Sequence, residues 1–295
     1  MKKLAMDYKC IKCILNRYSN VDKLPLTDEN KTLYLKELLK IISESPASTS
    51  GPELVEKLTT LQNKYNVKAI DFSEIKTRFN SLMLSLEDKL WNDIITAPDS
   101  LWLAVSYAFT GNYIDFGALS DISEEKLYSL ILDAKNVSLN KDEFLNFKNE
   151  LSSCKRLVYL TDNCGEIVLD KLLIKFLKKT YPHLTIDVIV RGNDVLNDAT
   201  AHDAQYVGLD KITSVTSNGT GIAGTVLNRI NAESLALIHN ADLIISKGMG
   251  NFETLRGADL NIYYMFLCKC DKFCDIFDVP LFTYMFLNEK RIETE

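Results

Sequence analysis

Residues 156–166 read Arg156-Leu157-Val158-Tyr159-Leu160-Thr161-Asp162-Asn163-Cys164-Gly165-Glu166, and the reading of this stretch decides the fold. A short apolar, β-prone run passes directly into a polar turn containing glycine. The helix-forming run Ile167–Lys179 follows. A buried strand, a tight turn and a helix are the opening unit of a parallel sheet. The same order recurs downstream. Leu184–Val190 (LTIDVIV) ends in Arg191–Gly192–Asn193, Lys211–Thr216 (KITSVT) in Ser217–Asn218–Gly219, and Asp242–Ser246 (DLIIS) in Lys247–Gly248. Val279–Thr283 (VPLFT) reads as a last strand, and Ala199–Gly208 and Thr225–Asn240 read as helices between strands. Strands alternating with helices predict an α/β fold, a mostly parallel sheet covered on both faces.

Upstream of Lys155 the texture is helical. Lys31–Ser43 carries Leu and Ile at helical spacing, and a second helix starts near Gly51–Pro52. Ser73–Ile95 is a long helix closed off by Pro98. Leu101–Thr110 (LWLAVSYAFT) is uniformly apolar and reads as a buried helix, while Glu124–Ala134 and Asp142–Cys154 are amphipathic. The chain therefore divides into a helical N-terminal region, 1–150, and an α/β core, 151–295.

Composition narrows the function. Of 295 residues, 46% are apolar and 25% charged, the balance of a soluble globular protein. The net charge is −6 and basic residues cluster no further than the pairs Lys2–Lys3 and Lys178–Lys179. Nucleic acid is thereby excluded as a partner, because backbone binding needs clustered Lys and Arg. MKKLAMDYKCIKC has no apolar segment behind its lysines, and no run approaches the length of a membrane span. A cytoplasmic protein is expected, with no membrane partner. The odd count of seven cysteines fits reduced thiols better than a disulfide framework. The sequence carries no sign of the oligomeric state.

Ligands of open parallel sheets bind beyond the carboxyl ends of the strands. Four such ends carry Asp162, Asn163, Gly165 and Glu166; Arg191, Asn193 and Asp194; Asn218, Gly219 and Gly221; and Lys247, Gly248, Gly250, Asn251 and Glu253. Any one alone reads as a loop with turn residues. A carboxylate beside an amide oxygen, Asp162–Asn163, suits a hard divalent cation; the plain alternative is an Asx turn capping a helix. Asp198 is either the cap of the following helix or a second carboxylate on the same cation. Lys247 is a solvated loop lysine or a point charge for a phosphoryl oxygen.

Gly219–Gly224 contains G-x-G-x-x-G, the pattern of a nucleotide-cofactor oxidoreductase. It follows the third strand rather than the first, and the acid about twenty residues on, Asp242, precedes its strand. A glycine loop presenting backbone N–H groups to phosphate at a helix N-terminus accounts for it better. Cys10-x-x-Cys13 lacks a βαβ context; with Cys268, Cys270 and Cys274 it forms a structural metal site or simply packs. Cys164 has no base tied to it among His183, His202 and His239.

The ordered runs TDNCGEIVLDKLLI, RGNDVLNDATAHDA, SNGTGIAGT and ISKGMGNFETL resemble the DUF89 family, the ARMT1-like damage-control phosphatases, and the N-terminal C-x-x-C resembles its stand-alone prokaryotic-type branch. The resemblance covers residues 156–257 well. It implies a Rossmann-like three-layer core behind a largely helical N-terminal region. It also implies hydrolysis of phosphate monoesters of small metabolites, such as sugar phosphates or phosphopantetheine-like compounds, with a divalent cation (Mn2+, Co2+, Ni2+ or Mg2+). By the same resemblance Asp162, Asn163 and Asp198 hold the metal, Lys247 binds phosphate, and Glu253 ends the last motif. Cys164 stands where many relatives have Ser. The expected chemistry is attack of activated water on phosphorus. Lys247 and the loop at Asn218, Gly219 and Gly221 then stabilise charge, and Glu166, Arg191 and Glu253 complete the substrate side. The remaining alternative is a non-catalytic metabolite-binding protein.

Overall fold

The computed structural model describes residues 4, 6–67, 71–113 and 124–292. The readings for residues 1–3 and the helical reading of 114–123 lie outside the described residues. Six strands form one sheet: β1 Arg156–Leu160, β2 Thr185–Val190, β3 Ser214–Ser217, β4 Leu243–Lys247, β5 Ile262–Leu267 and β6 Tyr284–Asn288. Their order is β3-β2-β1-β4-β5-β6, parallel throughout except for β6. Chain direction across the sheet therefore reverses between β1 and β4, which opens a crevice beyond their carboxyl ends.

Alternation along β1 separates two cores. Leu157 and Tyr159 pack with the helices on one face, and Val158 and Leu160 pack with Phe252, Leu255 and Tyr264 on the other. Leu160 pairs with Ile189 of β2 and Ser246 of β4, so the segments after β1, β2 and β4 leave the sheet at one edge. That register brings Asp162, Arg191 and Lys247 together.

The helices are α1 Tyr8–Tyr18, α2 Asp28–Glu44, α3 Gly51–Lys64, α4 Ser73–Thr96, α5 Ser100–Thr110, α6 Glu124–Leu132, α7 Lys141–Ser153, α8 Glu166–Thr180, α9 Ala201–Tyr206, α10 Ala232–His239, α11 Gly248–Leu255 and α12 Asp271–Phe277. Their starts follow local chemistry. Ser50 and Glu53 cap α3 reciprocally, and Thr27 and Asn140 accept N–H groups at the starts of α2 and α7. α5 is buried along nearly its whole length, as its apolar run implies. It packs with α8 and α4 in the same core as β1, so these two helices of the N-terminal region are part of the sheet's cover. α1, α2 and α3 make a separate cluster around Tyr34, Leu38, Leu54 and Leu58. Among the described residues no helix is long and apolar enough to cross a membrane.

Three elements differ from the sequence reading. β5 (IYYMFL) was not anticipated: buried on both faces, it has no alternation, and a short apolar run alone does not tell strand from helix. The last strand lies at Tyr284–Asn288, and Val279–Thr283 is the turn before it. Pro280 has no N–H for a ladder, and the Val279 N–H goes back to Cys274 O, closing α12 instead. The helix expected over Thr225–Asn240 starts only at Ala232, where Asn231 caps it.

Candidate functional site

β1 delivers Thr161–Asp162–Asn163, and Gly165 then turns at φ 79° to start α8 at Glu166. Asn163 and Asp198 form a backbone bridge, Cys164 N donates to Asn197 O (2.9 Å), and Ala199 N donates to Asp162 O (2.7 Å). The 197–199 segment is thereby sewn to the 162–164 turn, and the three residues expected to hold a cation are brought together. Asn163 Nδ2 donates to Asp162 Oδ2 (2.7 Å) and Glu166 Oε2 (3.0 Å), which turns its carbonyl oxygen away from both carboxylates.

Arg191 joins the two aspartates. Its Nε donates to Asp198 Oδ2 (2.6 Å), its Nη1 to Asn251 Oδ1 (3.0 Å), and its Nη2 lies 3.6 Å from Asp162 Oδ1. It is 2% exposed, and among the described residues Nη2 has no hydrogen-bond partner. Across the crevice Gly248, at φ +77°, faces Asp162: a Cβ there would stand 2.0 Å from Asp162 Oδ2. Only glycine lets the backbone pack this closely against that carboxylate.

Lys247 departs from the sequence reading. It is fully buried and spends its three donors on Glu166 Oε1 (2.7 Å), Asp170 Oδ1 (2.6 Å) and Ala108 O (2.8 Å). A lysine so engaged has no donor left to point at a ligand. Burial opposes its charge, but Asp170 and Glu166 outweigh burial and hold its pKa up. Asp170, which also accepts from Tyr159 OH (2.6 Å), is pushed up to about 6, chiefly by burial.

Glu253 is also not brought to this cluster. It lies two residues, more than half a helical turn, beyond Asn251, the residue of α11 that does face Arg191 and Thr161 O. Glu253 meets the start of α3, where a Cβ on Gly51 would stand 2.8 Å from its Oε2, and burial raises its carboxyl to about 7.

Around Asn218, Gly219 and Gly221 the helix N-terminus foreseen for phosphate is absent, since α10 begins well beyond the glycines. The loop is packed: a Cβ on Gly192 would fall 2.4 Å from Gly219 C, and one on Gly224 2.7 Å from Gly250 O. Asn218 Oδ1 accepts from Gly192 N (3.0 Å) and Thr220 N (2.9 Å), and among the described residues its buried Nδ2 has no hydrogen-bond partner. The loop follows the sheet's edge strand, away from the position after β1 that a dinucleotide fingerprint occupies. Cys164 is 2% exposed, and burial drives its thiol far above the ordinary range, so it offers no nucleophile.

Residues from the helical region complete the site. Asn80 of α4 accepts the Gly165 N–H (2.6 Å) and donates to Asp203 (3.3 Å). Lys76, one turn earlier, pairs with Asp203 (2.9 Å) and Asp194 (2.7 Å). Asn112, just past α5, reaches Asp162 Oδ2 (3.2 Å). Their only sequence signal is a polar residue interrupting an apolar helix or following one.

The remaining thiols gather elsewhere. Cys268 and Cys274 Sγ lie 3.4 Å apart, and Lys272 Nζ lies 3.6 Å from Cys10 Sγ. Among the described residues, no three His, Cys, Asp or Glu side chains are arranged to hold a metal. The Asp162–Asn163–Asp198 set, which includes an amide oxygen, is of a different kind.

Comparison with known proteins places this geometry. The model of the damage-control phosphatase ARMT1-like domain matches residues 6–283. A damage-control phosphatase of Archaeoglobus fulgidus is 31% identical over 271 residues, spanning 89% of this chain and 91% of that one. One from Pyrococcus horikoshii is 27% identical over 286 residues, covering 94% and 96%. The crystal structure of a DUF89 family protein from P. horikoshii superposes with a TM-score of 0.81 at 23% identity, over 97% of this chain and 99% of that one. With a family model spanning nearly the whole chain and the same fold from end to end, this chain belongs to the ARMT1-like damage-control phosphatase family, DUF89.

Proposed function

We propose that the chain is a metal-dependent phosphatase that hydrolyses phosphate monoesters of small metabolites, sugar phosphates or phosphopantetheine-like compounds, in metabolite damage control. The names of the archaeal relatives support the phosphatase part. The observation that carries the metal part is the convergence of Asp162, Asn163 and Asp198, held together by the Asn163–Asp198 bridge and the Ala199 N–H bond to Asp162 O. Among the described contacts, the carboxylates Asp162, Glu166, Asp170 and Asp198 outnumber Arg191 and Lys247, so the cluster is negative. Buried charge is costly unless balanced.

The donor set fits such an ion. Two carboxylates and an amide oxygen are hard ligands, the Asn163 amide turning over from its hydrogen bonds to Asp162 and Glu166 to present its oxygen. Asp162, Asn163 and Asp198 would hold Mn2+, Co2+, Ni2+ or Mg2+, which supplies Lewis acidity toward a phosphoryl oxygen and lowers the pKa of water.

The chain's own residues do the rest. Arg191 orients Asp198 and, through Asn251, fixes the end of β1. Arg191 Nη2 and Asn218 Nδ2, two of the buried donors without a hydrogen-bond partner among the described residues, serve phosphoryl oxygens. Lys247 balances Glu166 and Asp170 beneath the site and touches no substrate. The test is a phosphatase screen over sugar phosphates and phosphopantetheine compounds with each cation, with chelator, and with Asp162→Ala. Activity is expected to vanish with either treatment. Activity that survives both full metal removal and Asp162→Ala overturns the reading.

A further inference from the structure

Where α5 ends, the chain turns through Gly111 and Asn112 onto the motif after β1. Glycine is needed at the corner, because a Cβ on Gly111 would stand 2.9 Å from Glu166 Cγ and 3.2 Å from its Cα. Asn112 itself is 1% exposed and clamped on every polar atom that the corner presents. Its Oδ1 accepts the Leu267 N–H at the end of β5 (3.1 Å), and its backbone carbonyl accepts from Lys269 Nζ (2.6 Å). Its Nδ2 faces Asp162 Oδ2 at 3.2 Å and the two Glu166 oxygens at 3.4 and 3.3 Å. This orientation of the amide is not arbitrary. A backbone N–H only donates, so the oxygen must face Leu267 and the nitrogen must face the carboxylates.

We propose that Asn112 is a positioning residue for Asp162. Two amides, Asn163 and Asn112, donate to the same oxygen, Asp162 Oδ2. Asn112 keeps its donor on that oxygen when the Asn163 amide turns to a cation, so it fixes the rotation of the carboxylate and decides how it meets that ion. The same Asn112 amide holds Glu166 beside Asp162 without adding charge, so the negative balance of the site is preserved. The N-terminal helical region thereby sets the geometry of the motif from outside the sheet. This inference rests on the reading of Asp162 as a cation ligand.

The test measures Mn2+ binding by electron paramagnetic resonance, without substrate, on the full chain and on Asn112→Ala, Asn112→Asp and Asp162→Ala. Steady-state kcat and KM are measured at saturating Mn2+. A hydrogen bond to a charged group implies that Asn112→Ala weakens Mn2+ binding by roughly ten- to a hundred-fold. It is expected to lower kcat at saturating Mn2+ while KM stays near that of the parent. Asn112→Asp keeps an acceptor for the Leu267 N–H but has no amide donor, so it answers the question if the alanine variant fails to fold; it too should bind Mn2+ less tightly or lose kcat. If Asp162→Ala abolishes Mn2+ binding while both Asn112 variants keep the parental Kd and kcat, the proposal is overturned. If Asp162→Ala itself binds Mn2+ like the parent, the reading of Asp162 fails instead.

Discussion

Lys247→Met is the substitution that separates the structure's account of this lysine from the expectation that it grips phosphate. In the parent, Lys247 Nζ lies 2.7 Å from Glu166 and 2.6 Å from Asp170, and all three side chains are fully buried. One positive and two negative charges leave this trio at −1. Methionine fills a similar volume but leaves it at −2, with two carboxylates facing each other and Ala108 O without its donor. Breaking a buried pair by removing one partner costs about 3–5 kcal/mol. That is a large part of the roughly 5–15 kcal/mol by which domains are stable. Adding Asp170→Asn returns the trio to −1 and should recover about half of the loss. Urea denaturation at pH 7 followed by circular dichroism measures both variants. If Lys247→Met stays within about 1 kcal/mol of the parent while KM for a phosphomonoester rises, the reasoning is refuted and the lysine contacts substrate after all.

Three further outcomes follow from other contacts. Gly248→Ala should abolish phosphatase activity at unchanged far-UV circular dichroism, because its Cβ would collide with the Asp162 carboxylate and displace it, and its φ of +77° resists a side chain; activity within tenfold of the parent contradicts this. Glu253 is protonated in both folded and unfolded chains below its ordinary pKa of 4.5, and burial raises its folded value to about 7, so stability present at low pH is lost as pH rises through 7. Glu253→Gln should therefore stabilise the protein by about 1–3 kcal/mol at pH 8 and by little at pH 4, the lower figure applying because the residue keeps some solvent contact, as thermal melts at the two pH values will show. Asn80→Ala strands the Gly165 N–H and should cost about 1–3 kcal/mol in chemical denaturation; no change would mean that another acceptor replaces Asn80.

Much of the fold could be read from the chain because four strands end in polar, glycine-bearing turns that announce the carboxyl edge of a parallel sheet. β5 escaped because a strand buried on both faces shows no alternation, and β6 because antiparallel pairing is decided by the path of α12 rather than by local pattern. Asp162, Asn163 and Asp198 were legible through residue chemistry and order. The burial of Lys247 was not legible: a strand-end lysine looks solvated until α5 and α8 are known to close over it. Glu253 was misplaced because a helix, not a loop, follows β4, and two residues along a helix turn a side chain to another face. Asn80 and Asn112 come from helices whose sequence speaks of packing. Their role appears only when the fold sets them against Gly165 and Asp162.

The central claim is that Asp162, Asn163 and Asp198 form one divalent-cation site. Equilibrium binding of Mn2+ to the metal-stripped parent and to Asp162→Ala and Asp198→Ala, each shown to be folded by circular dichroism, tests it most directly. The account predicts one ion bound per parent chain and none in either variant at the same free Mn2+. Undiminished binding by both variants would contradict it.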